Sequence, residues 1–302
     1  MTFSVAVALF TLPILFPGIT SGAKIFMYMS MGSKSHWYTW TPLANKLADR
    51  GHELTIVSPF HDKSLEGREN VNFIVNENDF EGVIKSKVIF EGTPLFELSE
   101  ARKVGLQVQD RCFHHPKFQT LIEERPQFDL AIFTPENIDI GLYLVKKHWG
   151  DPPVIQYFSG LRLPPFDALA KTPLASSAFV PVTMFEFTQQ MSFMERVQNV
   201  LMNTAMIYGW RHVLPDVAAV EVKELLGLDH VPDLWEMAHG VDLVFFNALP
   251  ILDGVRPLNP NTIQVGGLHA VPPKPLTGDL RKWIDGAEHG VIYVSFGSVS
   301  IP

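Results

Sequence analysis

The sequence predicts an α/β protein built on a doubly wound, Rossmann-like parallel sheet. Short apolar segments alternate with amphipathic segments along most of the 302 residues. Residues 24–58 fit a strand, a loop, a helix and a second strand, which is the length expected of a βαβ unit. Hydrophobic residues make up 46% of the chain, so a large core can be buried.

Composition and charge exclude several classes of protein. Charged residues form 19% of the chain and occur in no long blocks, which argues against disorder, coiled coil and collagen. The net charge is −8 and the basic residues are scattered, so no nucleic-acid partner is expected. Cys112 is the single cysteine, which excludes an internal disulfide and a cysteine-based metal site.

The N-terminus predicts a secretory signal peptide over residues 1–23. An apolar run at 5–16 is too short to span a membrane and is followed by Pro17-Gly18. Small residues precede Lys24, which indicates cleavage after Ala23 and entry into the lumen of the endoplasmic reticulum. The alternative interpretation of this run is a buried first strand.

The first βαβ unit begins at Lys24. A strand is predicted at Lys24–Met29, followed by a loop of small residues and a helix at His36–Arg50. Gly51 is the residue expected just beyond a helix end, and Glu53–Ser58 is the next strand.

The alternation continues through the middle of the chain, with a proline-rich connection at 159–182 that is too long for an ordinary loop. Further strands are predicted at 71–75, 128–133, 154–158, 241–246 and 262–266. Further helices are predicted within 95–124 and at 138–148, 192–212 and 217–226.

The longest predicted helix, 192–212, opens with a capping box formed by Ser192 and Glu195. One face carries methionine and aromatic side chains. That pattern favours adaptable core packing, and the alternatives are an apolar acceptor pocket or contact with a membrane surface.

The chain is predicted to divide near its C-terminal end. Residues 24–268 form one domain and the proline-rich stretch 269–278 is a linker. Residues 279–302 would begin a second domain with a helix at 279–285 and a strand at 291–295.

Motifs for several common sites are absent from the sequence. The loop after the first strand lacks the G-x-G-x-x-G pattern, and no P-loop, H-E-x-x-H or G-x-S-x-G motif occurs. His114 and His115 diverge by about 100° on a helix, so they are expected at the solvated surface and not at a metal. Neither a metal nor a resident cofactor is therefore predicted.

His36 is the strongest candidate for chemistry. It lies where the first strand hands over to the first helix, at the carboxyl edge of the sheet, where open α/β folds bind ligands. The helix dipole disfavours the imidazolium form there, so a neutral ring could accept a proton. A capping or structural histidine is the competing interpretation.

Several segments resemble the animal UDP-glycosyltransferase family, which is UDP-glucuronosyltransferase-like. The resemblance covers nearly the whole chain, and the segments occur in the same order as in the family. These segments are GSKSHW (32–37), RGHELTIVSP (50–59), FDL (128–130), VLP (213–215), DLVFFN (242–247), VGGLH (265–269), WID (283–285) and EHGVIYVSFGS (288–298).

The resemblance implies the N-terminal, acceptor-binding half of a glycosyltransferase-B (GT-B) fold, in which two Rossmann-like domains face each other. It implies inverting, metal-independent transfer of a hexosyl group from a UDP-sugar co-substrate to a hydroxyl of a small lipophilic acceptor. His36 would be the general base, and Gly297 with Ser298 would approach the UDP diphosphate.

Two departures from the family pattern qualify this expectation. Thr134 occupies the position at which the family carries a carboxylate that pairs with the base, so Glu136 is the candidate substitute. The donor-binding signature of the family is missing, which predicts an incomplete enzyme that is inactive alone. The alternative function is a catalytically inactive acceptor-binding or regulatory partner that forms oligomers with full-length relatives.

Overall fold

The structure is a computed structural model that describes residues 22–77, 94–135, 138–160, 164–169, 177–182, 185–213, 215–249, 251 and 258–295. Residues 1–21 of the predicted signal peptide lie outside this part of the chain. Glu136, Gly297 and Ser298 also lie outside it.

The predicted doubly wound parallel sheet is confirmed. Its seven strands are all parallel and lie in the order β3-β2-β1-β4-β5-β6-β7, so the chain winds outward in both directions from β1. The strands are β1 (Lys24–Tyr28), β2 (Glu53–Ser58), β3 (Val71–Val75), β4 (Leu130–Phe133), β5 (Val154–Phe158), β6 (Leu243–Phe246) and β7 (Thr262–Gln264).

Helices follow the strands as a doubly wound topology requires. The helices among the described residues are α1 (Lys34–Asp49), α2 (Pro94–Phe113), α3 (Pro116–Glu124), α4 (Ile140–Lys147), α5 (Pro164–Leu169), α6 (Phe193–Val213), α7 (Pro215–Leu226), α8 (Leu234–Ala238) and α9 (Gly278–Asp285). The short helices α5 and α8 were not predicted from the sequence.

Two apolar layers cover the two faces of the sheet. Met27 and Met29 point to one face, where they pack with Trp37 and Trp40 of α1. Tyr28 points to the opposite face and packs in the layer formed with α3, α4 and α7. The alternation along β1 therefore separates the side of the sheet that carries α1 from the side that carries α4.

Helix α4 approaches β1 very closely, and Gly141 permits this approach. A Cβ at that position would lie 2.6 Å from Cζ of the buried Tyr28 ring. A contact under 3.0 Å requires the neighbouring atoms to move, and here they belong to a close-packed core. The first turn of α4 is thus held against the end of the central strand.

The predicted capping box of α6 is confirmed, but its apolar face does not form core. The Ser192 N–H donates to Glu195 Oε2 at 2.6 Å, and the Glu195 N–H donates to Ser192 Oγ at 3.3 Å. Phe193 is 72% exposed and Leu201 is 64% exposed. The core-packing interpretation is wrong for these side chains, because periodicity shows which residues share a face and not whether another element covers it.

The predicted strand at 291–295 is wrong. These residues form no strand, and Ile292 is 91% exposed. The preceding helix α9 buries none of its residues. An apolar segment becomes a strand only by pairing with a neighbour, and residues 291–295 join none of the seven strands. The division at 268 and 278 stays a prediction.

Candidate active site

The candidate site lies at the carboxyl edge of the sheet, where β1 ends and α1 begins. His36 is the third residue of α1 and occupies its first turn. Gly32 precedes it with φ of 155°, and a Cβ there would lie 3.8 Å from His36 Cβ and 3.4 Å from Met29 Sδ. The chain therefore turns tightly between the central strand and His36, which puts this histidine at the edge where open α/β folds bind ligands.

His36 is partly exposed and lies within the first turn of α1. The backbone carbonyl of His36 accepts a hydrogen bond from Thr39 Oγ1 at 2.8 Å, and the next residue, Trp37, is buried. Among the described residues, none forms a hydrogen bond or ion pair with the His36 ring. The first turn of α1 thus carries this ring at a partly exposed position.

Thr134 follows β4 directly and is 2% exposed. Its N–H donates to the Tyr28 carbonyl at 3.4 Å, which continues the β1–β4 ladder by one residue. Ile132, two positions earlier, packs on the α1 side of the sheet. Side-chain alternation therefore predicts that Thr134 faces the α1 side, where His36 also lies. A hydroxyl here can donate or accept a hydrogen bond but carries no charge.

Asp139 is a buried carboxylate that the sequence analysis did not select. It is the N-cap of α4, and its Oδ1 accepts from the Gly141 N–H at 2.9 Å. Its Oδ2 accepts from Tyr28 Oη and Ser30 Oγ, each at 3.1 Å. Burial raises the pKa of Asp139 to about 6, although the hydrogen bonds from Gly141, Ser30 and Tyr28 oppose this rise.

The sequence contains a signal for the position of Asp139. Aspartate is a preferred N-cap residue, so a helix that begins at Ile140 is a better prediction than one over 138–148. The carboxylate packs with Tyr28, on the side of the sheet that carries α4. Asp139 therefore supports the end of β1 from the side opposite α1, so it is not placed as the missing charged partner of His36.

Gln109 extends the polar cluster around Asp139 to α7. Its Oε1 accepts from the Ile140 N–H at 2.9 Å, and its Nε2 donates to Glu221. Burial raises the pKa of Glu221 to about 7, and the charge of Asp139 contributes to this rise. The carboxyl groups of Asp139 and Glu221, both with raised pKa values, thus belong to one polar cluster.

The chain was compared with known proteins. Residues 161–302 match the sequence profile described as UDP-glucoronosyl and UDP-glucosyl transferase. A 2-hydroxyacylsphingosine 1-beta-galactosyltransferase of Rattus norvegicus is 28% identical over 301 residues, which cover 93% of this chain and 52% of the relative. The UDP-glucuronosyltransferase 1A8 of the same species is 26% identical over 88% of this chain and 51% of the relative.

The matching profile and these relatives support the UDP-glycosyltransferase family for this chain. It spans about half the length of the relatives that it matches. Among solved structures, CalG4, the calicheamicin glycosyltransferase, matches 81% of this chain and 53% of its own, with 14% identity and a TM-score of 0.46.

The chain carries an open apolar groove beside α6. The groove has a volume of about 540 Å³ and is lined by Phe185, Phe187, Gln198, Leu201, Met202 and Ala205. The rings of Phe185 and Phe187 stack with centroids 4.6 Å apart. An apolar surface with a single amide side chain suits a lipophilic ligand better than a polar one.

The histidine pair that was expected at the solvated surface belongs to no metal site among the described residues. His114 and His115 lie at the surface between α2 and α3, and His115 Nδ1 caps α3 by accepting from the Lys117 N–H. Within the described ranges, no three histidine, cysteine or acidic residues converge to hold a metal. None of the helices in this part of the chain is both long enough and apolar enough to cross a membrane.

Proposed function

We propose that this chain is the acceptor-binding part of a UDP-glycosyltransferase and that His36 is its general base. The observation that carries the proposal is the position of His36, in the first turn of α1 at the carboxyl edge of the sheet. The lack of a bond to the ring from any described residue supports the same role, and so does the likeness to the family.

The proposed reaction transfers a hexosyl group from a UDP-sugar to an acceptor hydroxyl. His36 takes the proton of the hydroxyl, and the acceptor oxygen forms a bond to the anomeric carbon. The bond between that carbon and the diphosphate oxygen breaks on the opposite face, and UDP leaves with the electron pair. The anomeric configuration is inverted, and no metal takes part. The loop at Gly297 and Ser298 is proposed to contact the diphosphate through N–H groups and a hydroxyl.

The charge that develops on His36 needs a partner. A carboxylate would stabilise imidazolium, whereas Thr134 can only offer a hydrogen bond. We propose Glu136 as the residue that supplies the charge, because it follows Thr134 by two positions on the connection from β4 to α4. If Glu136 does not reach His36, transfer will be slow.

The acceptor is proposed to be a small lipophilic alcohol or phenol. The apolar groove beside α6 supports this choice, and so does the 2-hydroxyacylsphingosine named for the rat relative. The predicted signal peptide at residues 1–23 supports a reaction in the lumen of the endoplasmic reticulum. The exposed Phe193 and Leu201 offer a surface for contact with a membrane that holds such acceptors.

A second function is favoured by Thr134. Without a charged partner for His36, the chain could bind acceptors, or associate with full-length relatives as a regulatory partner, and transfer no sugar. This alternative predicts acceptor binding with normal affinity and no turnover.

One experiment separates these functions. Residues 24–302 are fused to the donor-binding half of the rat galactosyltransferase and incubated with UDP-glucose, UDP-galactose or UDP-glucuronate and a panel of phenols. The proposal predicts β-linked glycosides, detected by mass spectrometry and NMR. Binding of phenols to the unfused chain without product from the fusion would support the second function. Products of retained configuration would refute the proposed mechanism.

A further inference from the structure

The connection between β2 and β3, residues 59–70, runs along one face of α1, and we call it the strap. Its side chains contact α1 at Trp37, Thr41, Asn45 and Asp49. Residues four apart lie above one another on one side of an α-helix. The strap therefore follows the helix from its first turn to its last.

The far end of the strap is firmly anchored. Asn45 Nδ2 donates to Ser64 Oγ at 2.9 Å. Arg68 Nη1 donates to Asp49 Oδ1 at 2.9 Å, and Nη2 donates to Asn45 Oδ1 at 3.0 Å. Leu65 is completely buried in the apolar layer that α1 shares with the sheet. These contacts hold the strap in place independently of the first turn of α1.

Asp62 forms the near end of the strap and uses each of its oxygens differently. Oδ2 accepts from Trp37 Nε1 at 3.0 Å and from Thr41 Oγ1 at 2.8 Å, both on α1. Oδ1 accepts from the N–H and the hydroxyl of Ser64, within the strap. Burial pushes the pKa of Asp62 upward, but the hydrogen bonds from Ser64, Thr41 and Trp37 outweigh it and lower the pKa.

The first turn of α1 lacks the usual means of fixing a helix start. Its N-cap, Ser33, makes no side-chain capping bond, and the first turn contains no acidic residue. Trp37 is instead held from the side, between Asp62 and the edge of the Phe73 ring, whose centroid is 5.9 Å away. His36 precedes Trp37 directly, so whatever fixes Trp37 also fixes the backbone of His36.

We propose that Asp62 is a positioning residue for His36, which it fixes through the side chains of Trp37 and Thr41. Asp62 does not touch the reacting atoms in this proposal. The significance for catalysis rests on the proposed role of His36, whereas the effect on the position of His36 can be measured without turnover.

The test compares Asp62→Ala with Asp62→Asn in the unfused chain. The amide oxygen of the asparagine variant can replace Oδ2 and keep the bonds from Trp37 and Thr41, while alanine removes every acceptor. Both proteins are produced in bacteria, because the asparagine variant creates an N-x-S glycosylation sequence. Ser64→Ala is the matched control, since it removes a hydroxyl partner of Oδ1 and the bond from Asn45 but leaves the bonds of Asp62 to Trp37 and Thr41 intact.

Two measurements report on the first turn. Hydrogen exchange is measured at the amides of residues 37–40, and the imidazole resonances of His36 are recorded by NMR and assigned with His36→Gln. We expect Asp62→Ala to raise exchange there roughly tenfold or more and to move the His36 resonances, because Trp37 Nε1 and Thr41 Oγ1 lose their shared acceptor. Asp62→Asn and Ser64→Ala are expected to match the wild-type protein at both probes.

The proposal is refuted if folded Asp62→Ala leaves exchange and the His36 resonances unchanged. It is also refuted if Ser64→Ala disturbs His36 as much as Asp62→Ala does, because the strap alone would then be responsible. If Asp62→Ala does not fold, Thr41→Val removes one donor to Asp62 at similar volume and should move the same resonances. A fusion enzyme without turnover would refute the proposed function and leave these results standing.

Discussion

Protonation of Asp139 is predicted to stabilise the folded chain. Asp139 as a whole residue is 9% exposed, and the pKa of its carboxyl group rises from the ordinary value of 3.8 to about 6 because the group is buried. A raised folded-state pKa means that the stabilisation is complete below the unfolded-state value and is lost as pH rises through about 6. At 1.36 kcal/mol for each pKa unit, the difference corresponds to about 3 kcal/mol.

Asp139→Asn should abolish this pH dependence. The asparagine oxygen can cap α4, and its NH₂ group offers two donors to the Tyr28 and Ser30 hydroxyls, where a protonated carboxyl offers one. We expect the variant to exceed wild type in unfolding free energy by roughly 1.6 kcal/mol near pH 5 and about 3 kcal/mol near pH 7.5. The difference between variant and wild type cancels the titration of groups that Asp139 does not influence.

Urea unfolding followed by tryptophan fluorescence, at a series of pH values, measures these differences. Glu123→Gln, at an exposed position of α3, is the surface control and should follow wild type at every pH. Parallel curves for Asp139→Asn and wild type, with no gain toward neutral pH, would refute the assignment of a raised pKa to this buried carboxyl.

Two further pairs of substitutions test the packing against β1 and the capping of α6. Gly141→Ala should cost about 1–3 kcal/mol of unfolding free energy, because its Cβ would overlap the Tyr28 ring, whereas Gly105→Ala, inside α2 with open space around it, should be neutral or stabilising. Denaturant midpoints of both variants measure this, and equal midpoints would contradict the close approach. Ser192→Ala should cost about 1 kcal/mol and lower the helicity of α6, while Glu195→Gln should retain most of the capping box. Circular dichroism and hydrogen exchange at the start of α6 compare the two, and an equal loss in both would contradict the assigned role of the Ser192 hydroxyl.

The sheet was predictable because its signals are local. Apolar strands such as 53–58 and 154–158 are bounded by turn residues, and parallel strands joined by helices permit few topologies. The same topology predicted that His36 lies at the carboxyl edge, because the end of β1 and the start of α1 are adjacent in sequence.

Features that depend on distant residues were not predictable in this way. Asp62 meets Trp37 and Thr41 only because the connection after β2 folds back along α1, and no pattern in 59–70 indicates that direction. The apolar face of α6 carried a helical period, but periodicity contains no information about a covering partner. Asp139 could have been identified as an N-cap from the sequence. Its hydrogen bond from Tyr28 could not, because that bond depends on how α4 packs against β1.

The proposed functional residues also differ in how far the structure describes them. The resemblance to the family supplied roles for His36, Glu136, Gly297 and Ser298, and the structure describes only the first of these. The structure shows that His36 is partly exposed and that the next residue, Trp37, is held by a hydrogen bond to Asp62. Side-chain alternation in β4 predicts that Thr134 faces the same side of the sheet. The role of Glu136 stays a prediction, which Thr134→Asp can probe by restoring the carboxylate of the family. That change should raise turnover of the fusion enzyme if the native charge partner is weak.

The most direct test of the proposed function is the turnover of the fusion enzyme with and without His36. Initial rates of glycoside formation from a UDP-sugar and a phenol are measured for wild type and His36→Ala, with circular dichroism as the control for folding. We expect kcat to fall by about 10²–10⁴-fold in His36→Ala, because a general base contributes on that order. A His36→Ala rate within about threefold of wild type, in a folded protein, would contradict the assignment of His36 as the base.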